Sequence, residues 1–120
     1  MISGKALQEL NNTVQALIAE GVVNKNIGTV DNPIPVTIES VDDHAVGRMK
    51  ERGITEADAQ SYIDGAMVMF RQSNDAKRLY VSNDGNSAIL VEGNRLISAY
   101  SSSDFDAGMR RVINEVGKHG

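Results

Sequence analysis

Between residues 66 and 101 the chain reads as four short β-rich runs in succession, AMVMFRQ, KRLYVS, SAILVEG and RLISAYS. They are separated only by SNDA, NDGN and a Gly93-Asn94 pair, and Asn83-Asp84-Gly85-Asn86 is a strong hairpin turn. None of these connections is long enough for a crossover helix, so the runs are expected to pair in order as a four-stranded antiparallel meander. Helical patterns flank them on both sides. Residues 5–20, KALQELNNTVQALIAE, space Leu7, Leu10, Val14, Leu17 and Ile18 for one helical face, and Gly21 follows as a stop. After the last run, Ser103 with Asp106 three residues on reads as a cap. It opens a helix with Phe105, Met109, Val112, Ile113 and Val116 on its apolar face. The expected class is α+β: N-terminal helices, a four-stranded antiparallel meander and a C-terminal helix, in a chain of 120 residues that suits one core.

The intervening segments are less regular. Residues 21–36, GVVNKNIGTVDNPIPV, hold three asparagines and both prolines and read as a loop or extended connector. This divides the chain into an N-terminal helix and connector over 1–35 and a main domain over 36–120. VTIES is a possible short edge strand. Ser40 with Asp43 then caps a helix starting near Val41 and closing at Gly53, where a left-handed residue commonly ends a helix. Thr55 with Asp58 caps a further helix over EADAQSYIDG, ending at Gly65.

Composition narrows the class without naming a function. Hydrophobic residues make up 41% and charged residues 23%, ordinary for a soluble globular chain. No apolar run approaches the roughly 20 residues of a membrane span, and MISGKALQEL lacks the basic start and apolar block of a secretory signal. With no cysteine there are no disulfides or thiolate metal sites, and the chain is easy to unfold and thread across a membrane. The net charge of −4 argues against a nucleic-acid partner until its distribution is considered. Residues 1–43 carry two basic and six acidic side chains, whereas residues 44–120 carry ten of each. The acidic excess precedes the segment that carries the chemistry, and it could serve a protein partner.

That segment is DDHAVGRMKERGITEAD, residues 42–58. Positions four apart on a helix stack along one side, so His44, Arg48 and Arg52 form a stripe of one imidazole and two guanidiniums. Cleaving RNA through its own 2′-hydroxyl needs a proton acceptor, a proton donor for the leaving 5′-oxygen and positive charge on the phosphate, with no metal or other cofactor. Histidine suits the proton transfer and arginine the phosphate. Ser98 and Tyr100, alternating onto one face of the last β-run, are candidates for the second proton carrier. His44, Arg48, Ser98 and Tyr100 are therefore the candidate catalytic set. Arg52, Lys77, Arg78 and Arg95 are candidates for RNA-backbone contacts, with Glu56 as an alternative partner for Arg52. His119 sits in a terminus prone to fraying, and Asp42, Asp43 and His44 lack a second donor cluster for a metal.

HAVGRMKERGIT, followed by a helix, the β-runs and LISAYSSSDFDAGMRRVINEV, resembles small toxin nucleases at the C-termini of bacterial polymorphic toxins. The notable members are contact-dependent growth inhibition effectors, in the group that gathers barnase, EndoU, colicin and RelE-like ribonucleases. The resemblance covers about residues 40–116. Similar sequences often carry Thr-x-Tyr on the last strand, and here Ser98 and Tyr100 keep both hydroxyls. The resemblance implies a metal-independent tRNA-cleaving enzyme, blocked in its maker by a cognate immunity protein and in some relatives dependent on elongation factor Tu. It further implies export as the tail of a larger secreted or cell-surface effector, with action in the target-cell cytoplasm. Two other readings compete: a non-catalytic protein-binding module using the same stripe, and a RelE-like toxin acting on ribosome-bound mRNA. The acidic balance disfavours the latter.

Overall fold

The computed structural model describes residues 1–119. Its helices are α1 (Gly4–Ala19), α2 (Asp43–Arg52), α3 (Glu56–Asp64) and α4 (Ala107–Gly117). Its strands are β1 (Thr29–Asp31), β2 (Ser40–Val41), β3 (Val68–Gln72), β4 (Lys77–Val81), β5 (Ser87–Glu92) and β6 (Arg95–Ser101). Short 3-10 turns occupy Lys25–Ile27 and Ser102–Asp104. The class is α+β, but the expected four-stranded antiparallel sheet is corrected to a six-stranded mixed one, in the order β1-β3-β4-β5-β6-β2. β3 to β6 pair in sequence as antiparallel neighbours. The two added edges come from the first third of the chain: β1 lies antiparallel to β3, and β2 lies parallel to β6 through Ser40 opposite Arg95 and Val41 opposite Leu96. Strands of three and two residues are too short to show a side-chain period, and their place is set by backbone pairing.

Each face of the sheet carries its own core. On one face α1 and α4 pack Leu10, Val14, Leu17, Val112 and Val116 against Val30, Val68, Phe70, Leu79 and Val81. Residues 1–35 thus supply α1 to this core and β1 to the sheet. On the other face α2 and α3 pack Ala45, Met49, Ala59 and Ile63 against Met69, Tyr80, Ile89, Leu96 and Ala99. The segment between β1 and β2 crosses this second face from one sheet edge to the other, tied down by polar side chains. The Tyr80 hydroxyl donates to the Ile34 carbonyl at 2.5 Å, and Gln60 donates to the Val36 carbonyl and accepts from the Ile38 amide, both at 2.9 Å.

A bulge decides where the last strand points its side chains. Leu90 faces Ser98 and Val91 faces Leu96, so Ile97 is the extra residue on β6. The phase changes there. Leu96 packs with the α2 side, whereas Tyr100 packs with the α1 and α4 side.

Two helix starts differ from expectation. Asp42 stands at the N-cap of α2 and Ser40 lies in β2; Asp106, accepting from the Met109 amide at 2.7 Å, caps α4. Ser103 belongs instead to a 3-10 turn whose capping box is formed by Ser101 and Asp104. The run SSSDFD offers two overlapping Ser-x-x-Asp registers, and the earlier one forms the box. The α3 cap is as expected: Thr55 Oγ1 accepts from the Asp58 amide and Asp58 Oδ2 from the Thr55 amide, both at 3.0 Å. Thr55→Ala should therefore lower the unfolding free energy by about 1 kcal/mol, read from the denaturant midpoint at unchanged slope.

Candidate active site

α2 carries the site because its two faces are sharply different. Ala45 and Met49 are buried at 0% and 7% exposure and fix the helix against β6. His44 and Arg48, each one residue earlier, lie about 100° round the helix from that stripe and are set at its flank. Arg48 Nε donates towards His44 Nε2 at 3.4 Å, which sets the guanidinium beside the imidazole. Gly53, at φ 65°, ends the helix in the left-handed conformation. At the other end Asp42 leaves the helix amides uncapped by its side chain and forms an ion pair with Arg95.

Arg52 continues the stripe but is already occupied. It grips Asp104 with a two-pronged contact, Nε to Oδ2 at 2.5 Å and Nη2 to Oδ1 at 2.7 Å, rather than pairing with Glu56. Its Nη1 also reaches Glu51 at 3.2 Å. The Arg52 guanidinium, followed by the Ser101 backbone amide, holds the Asp104 carboxyl far below the usual carboxylate range. The same contact raises Arg52 above its ordinary value. An acid whose folded pKa is depressed contributes stability that is present above its unfolded value of about 4 and is lost as pH falls towards the folded value. Asp104→Asn should accordingly melt below the parent protein at neutral pH. The gap should close as pH is lowered beneath 4, which a pH series of melting curves would read directly.

The remaining candidates divide by position. Ser98 is buried at 5% exposure, so its hydroxyl is not presented to a substrate. Tyr100 is half-buried on the sheet face away from Ala45 and Met49, lining a cleft of about 160 Å³ with Leu79, Asp104, Phe105 and Met109. His44 and Arg48 therefore do not share a cleft with Tyr100. The link between them is the Arg52–Asp104 pair, at the end of a strand whose outer edge beyond Leu96 has no strand neighbour. Arg95 lies near the start of α2 beside Asp42. Arg78 is bound at 3.0 and 3.1 Å to Asp75, whose carboxyl is held at about 2 by Arg78 and then Arg71. Lys77 is half-buried at the same end of β4, two strands away from β6.

Asp104 and Ser101 were not singled out by the sequence, and Ser103 only as a helix cap. They line a polar cleft of about 420 Å³ with Glu51 and Arg52, where α2 ends against β6. The signal was present as the Ser101-x-x-Asp104 capping box. Among the described residues no three His, Asp or Glu side chains gather at metal-binding distances, and no helix is long and apolar enough to cross a membrane. No protein-family model, curated protein or solved structure matches this chain.

Proposed function

We propose that this chain is a metal-independent ribonuclease of the bacterial toxin kind, directed at tRNA, with His44 and Arg48 at its centre. The observation that carries the reading is the His44–Arg48 pair. An imidazole lies 3.4 Å from a guanidinium that has no carboxylate partner among the described residues, on the outer flank of a helix anchored to the sheet. Every other arginine close to α2 is neutralised, Arg52 by Asp104 and Arg95 by Asp42. A free guanidinium beside a proton-transfer group is the minimum needed to hold a phosphate and deprotonate the adjoining 2′-hydroxyl.

In this reading His44 takes the 2′-hydroxyl proton and Arg48 grips the phosphate in its planar fork. Tyr100 lies on the other sheet face and does not reach the leaving oxygen of a phosphate held by Arg48, so that 5′-oxygen takes its proton from solvent, and Tyr100 and Ser98 act only by positioning β6. Tyr100→Phe should accordingly leave cleavage unchanged, and loss of cleavage with RNA binding retained would return the phenol to the chemistry. The resemblance adds a cognate immunity protein, elongation factor Tu as an accessory partner, and delivery as part of a larger effector. Induced expression in bacteria without the immunity protein, followed by sequencing of new RNA ends, is the test. Growth arrest with cut tRNA supports the reading. Harmless accumulation favours a protein-binding module instead, and ends confined to ribosome-bound mRNA favour a RelE-like toxin.

A further inference from the structure

Away from α2, one more cation is held in place without being neutralised. Arg110, on the exposed side of α4, donates from Nε to the Phe105 carbonyl at 3.2 Å and from Nη2 to the Ser102 carbonyl at 3.0 Å. Among the described residues it pairs with no carboxylate; its neighbour Arg111 takes Glu115. Two carbonyl bonds aim a guanidinium but cannot cancel its charge. They also leave three of its five N–H donors unused.

Those donors border a cleft of about 350 Å³ whose lining includes Asp84, Asn86, Ser102, Phe105 and Asn114. The one carboxylate in that wall, Asp84, keeps its charge and is bound through Oδ1 to its own turn rather than to Arg110. Asp84 accepts from the Ser82 hydroxyl at 2.6 Å and the Asn86 amide at 2.9 Å, and the Ser82 bond, then that amide, holds it below its ordinary value. Half-buried Phe105 lines the cleft, and the carboxamide residues Asn86 and Asn114 line it with the guanidinium, Asn114 one helical turn from Arg110. A fixed cation, an aromatic surface and free amides in one cleft are what single-stranded RNA is recognised by.

The position matters as much as the chemistry. The 3-10 turn Ser102–Asp104 separates this cleft from the one lined by Arg52, Ser101, Ser103 and Asp104. An RNA strand lying on Arg48 and crossing that single turn arrives at Arg110.

We propose that the Arg110 cleft is a second RNA subsite, in which Arg110 takes a backbone phosphate distant from the scissile one and Phe105 meets the adjoining base. The subsite rests on the ribonuclease reading above, and it explains how a chain of net charge −4 holds its substrate: by a few placed cations rather than a basic surface.

The test is equilibrium binding of tRNA to the full chain carrying His44→Ala, which prevents turnover, across a series of salt concentrations. Adding Arg110→Ala should weaken binding about tenfold and reduce the slope of log Kd against log salt by about 1. Asn114→Asp, one helical turn from Arg110, adds a second negative charge to the cleft beside the guanidinium, and it should weaken binding likewise. This second variant decides the matter if Arg110→Ala does not fold. With His44 restored, Arg110→Ala should raise KM and leave kcat at saturating RNA unchanged. Wild-type affinity and salt slope in both variants, in a chain that still cuts RNA, would overturn the subsite and leave the ribonuclease reading standing. A chain that neither binds nor cuts RNA would overturn both.

Discussion

His44→Ala is expected to lower RNA cleavage at least 100-fold, the scale of losing a positioned proton-transfer group, and to abolish growth arrest in cells. The fold should not follow the activity. His44 is exposed and its one side-chain hydrogen bond is to Arg48, so the melting temperature should stay within about 2 °C of the parent value. Arg48→Ala should produce a comparable loss of cleavage. Arg48→Lys should restore little of it, because an ammonium cannot reproduce the two-pronged grip on a phosphate. A soluble, folded His44→Ala protein that still arrests growth would remove the imidazole from the mechanism. Measuring cleavage and melting on the same preparation separates lost chemistry from lost structure.

Gly28→Ala should produce the largest loss of stability, on the order of 3 kcal/mol, for reasons that sit in the backbone. Gly28 precedes β1 with φ 81° and ψ −147°, a conformation open to glycine and strained for any residue with a Cβ. There is also no room. A Cβ there would stand 1.9 Å from the Arg71 carbonyl oxygen, on the strand that β1 pairs with. The alanine can be accommodated only by pulling β1 off β3, which exposes Val30 and Phe70 beneath it. Gly47→Ala is the internal control with the opposite sign. Gly47 lies within α2, where an added Cβ would meet nothing within 4 Å, and alanine there should stabilise the chain by about 0.5–1 kcal/mol. Denaturant unfolding of the two variants side by side checks both.

The helices were legible because each carries a periodic apolar face and a cap or stop. Thr55 with Asp58 and Gly53 behave as their residue types require. The four central β-runs were legible from alternation and from turns too short for any other connection. The edge strand Thr29–Asp31 escaped, and the one expected over VTIES, residues 36–40, forms only at Ser40–Val41, since both are held by backbone pairing and by distant tethers such as Gln60 and Tyr80, which leave no local period. In the candidate site, His44 and Arg48 fell side by side as helical spacing demands. The expectation that Ser98 and Tyr100 would join them assumed unbroken alternation along β6. The bulge at Ile97 changes the phase, placing Leu96 on the α2 side and Tyr100 on the other, and a bulge has no signature in RLISAYS. Asp104, which ties α2 to the end of β6, was overlooked because its capping register competes with that of Asp106 in the same serine-rich run.

The most direct test of the central claim is incubation of the purified chain with tRNA in excess chelator, with elongation factor Tu supplied, followed by chemical analysis of the new 3′ ends. A centre built from His44 and Arg48 predicts cleavage undiminished by chelation, ends bearing a 2′,3′-cyclic phosphate from 2′-hydroxyl attack, and silence in His44→Ala. Cleavage that stops in chelator and returns with a divalent ion, or intact tRNA under all these conditions, would contradict it.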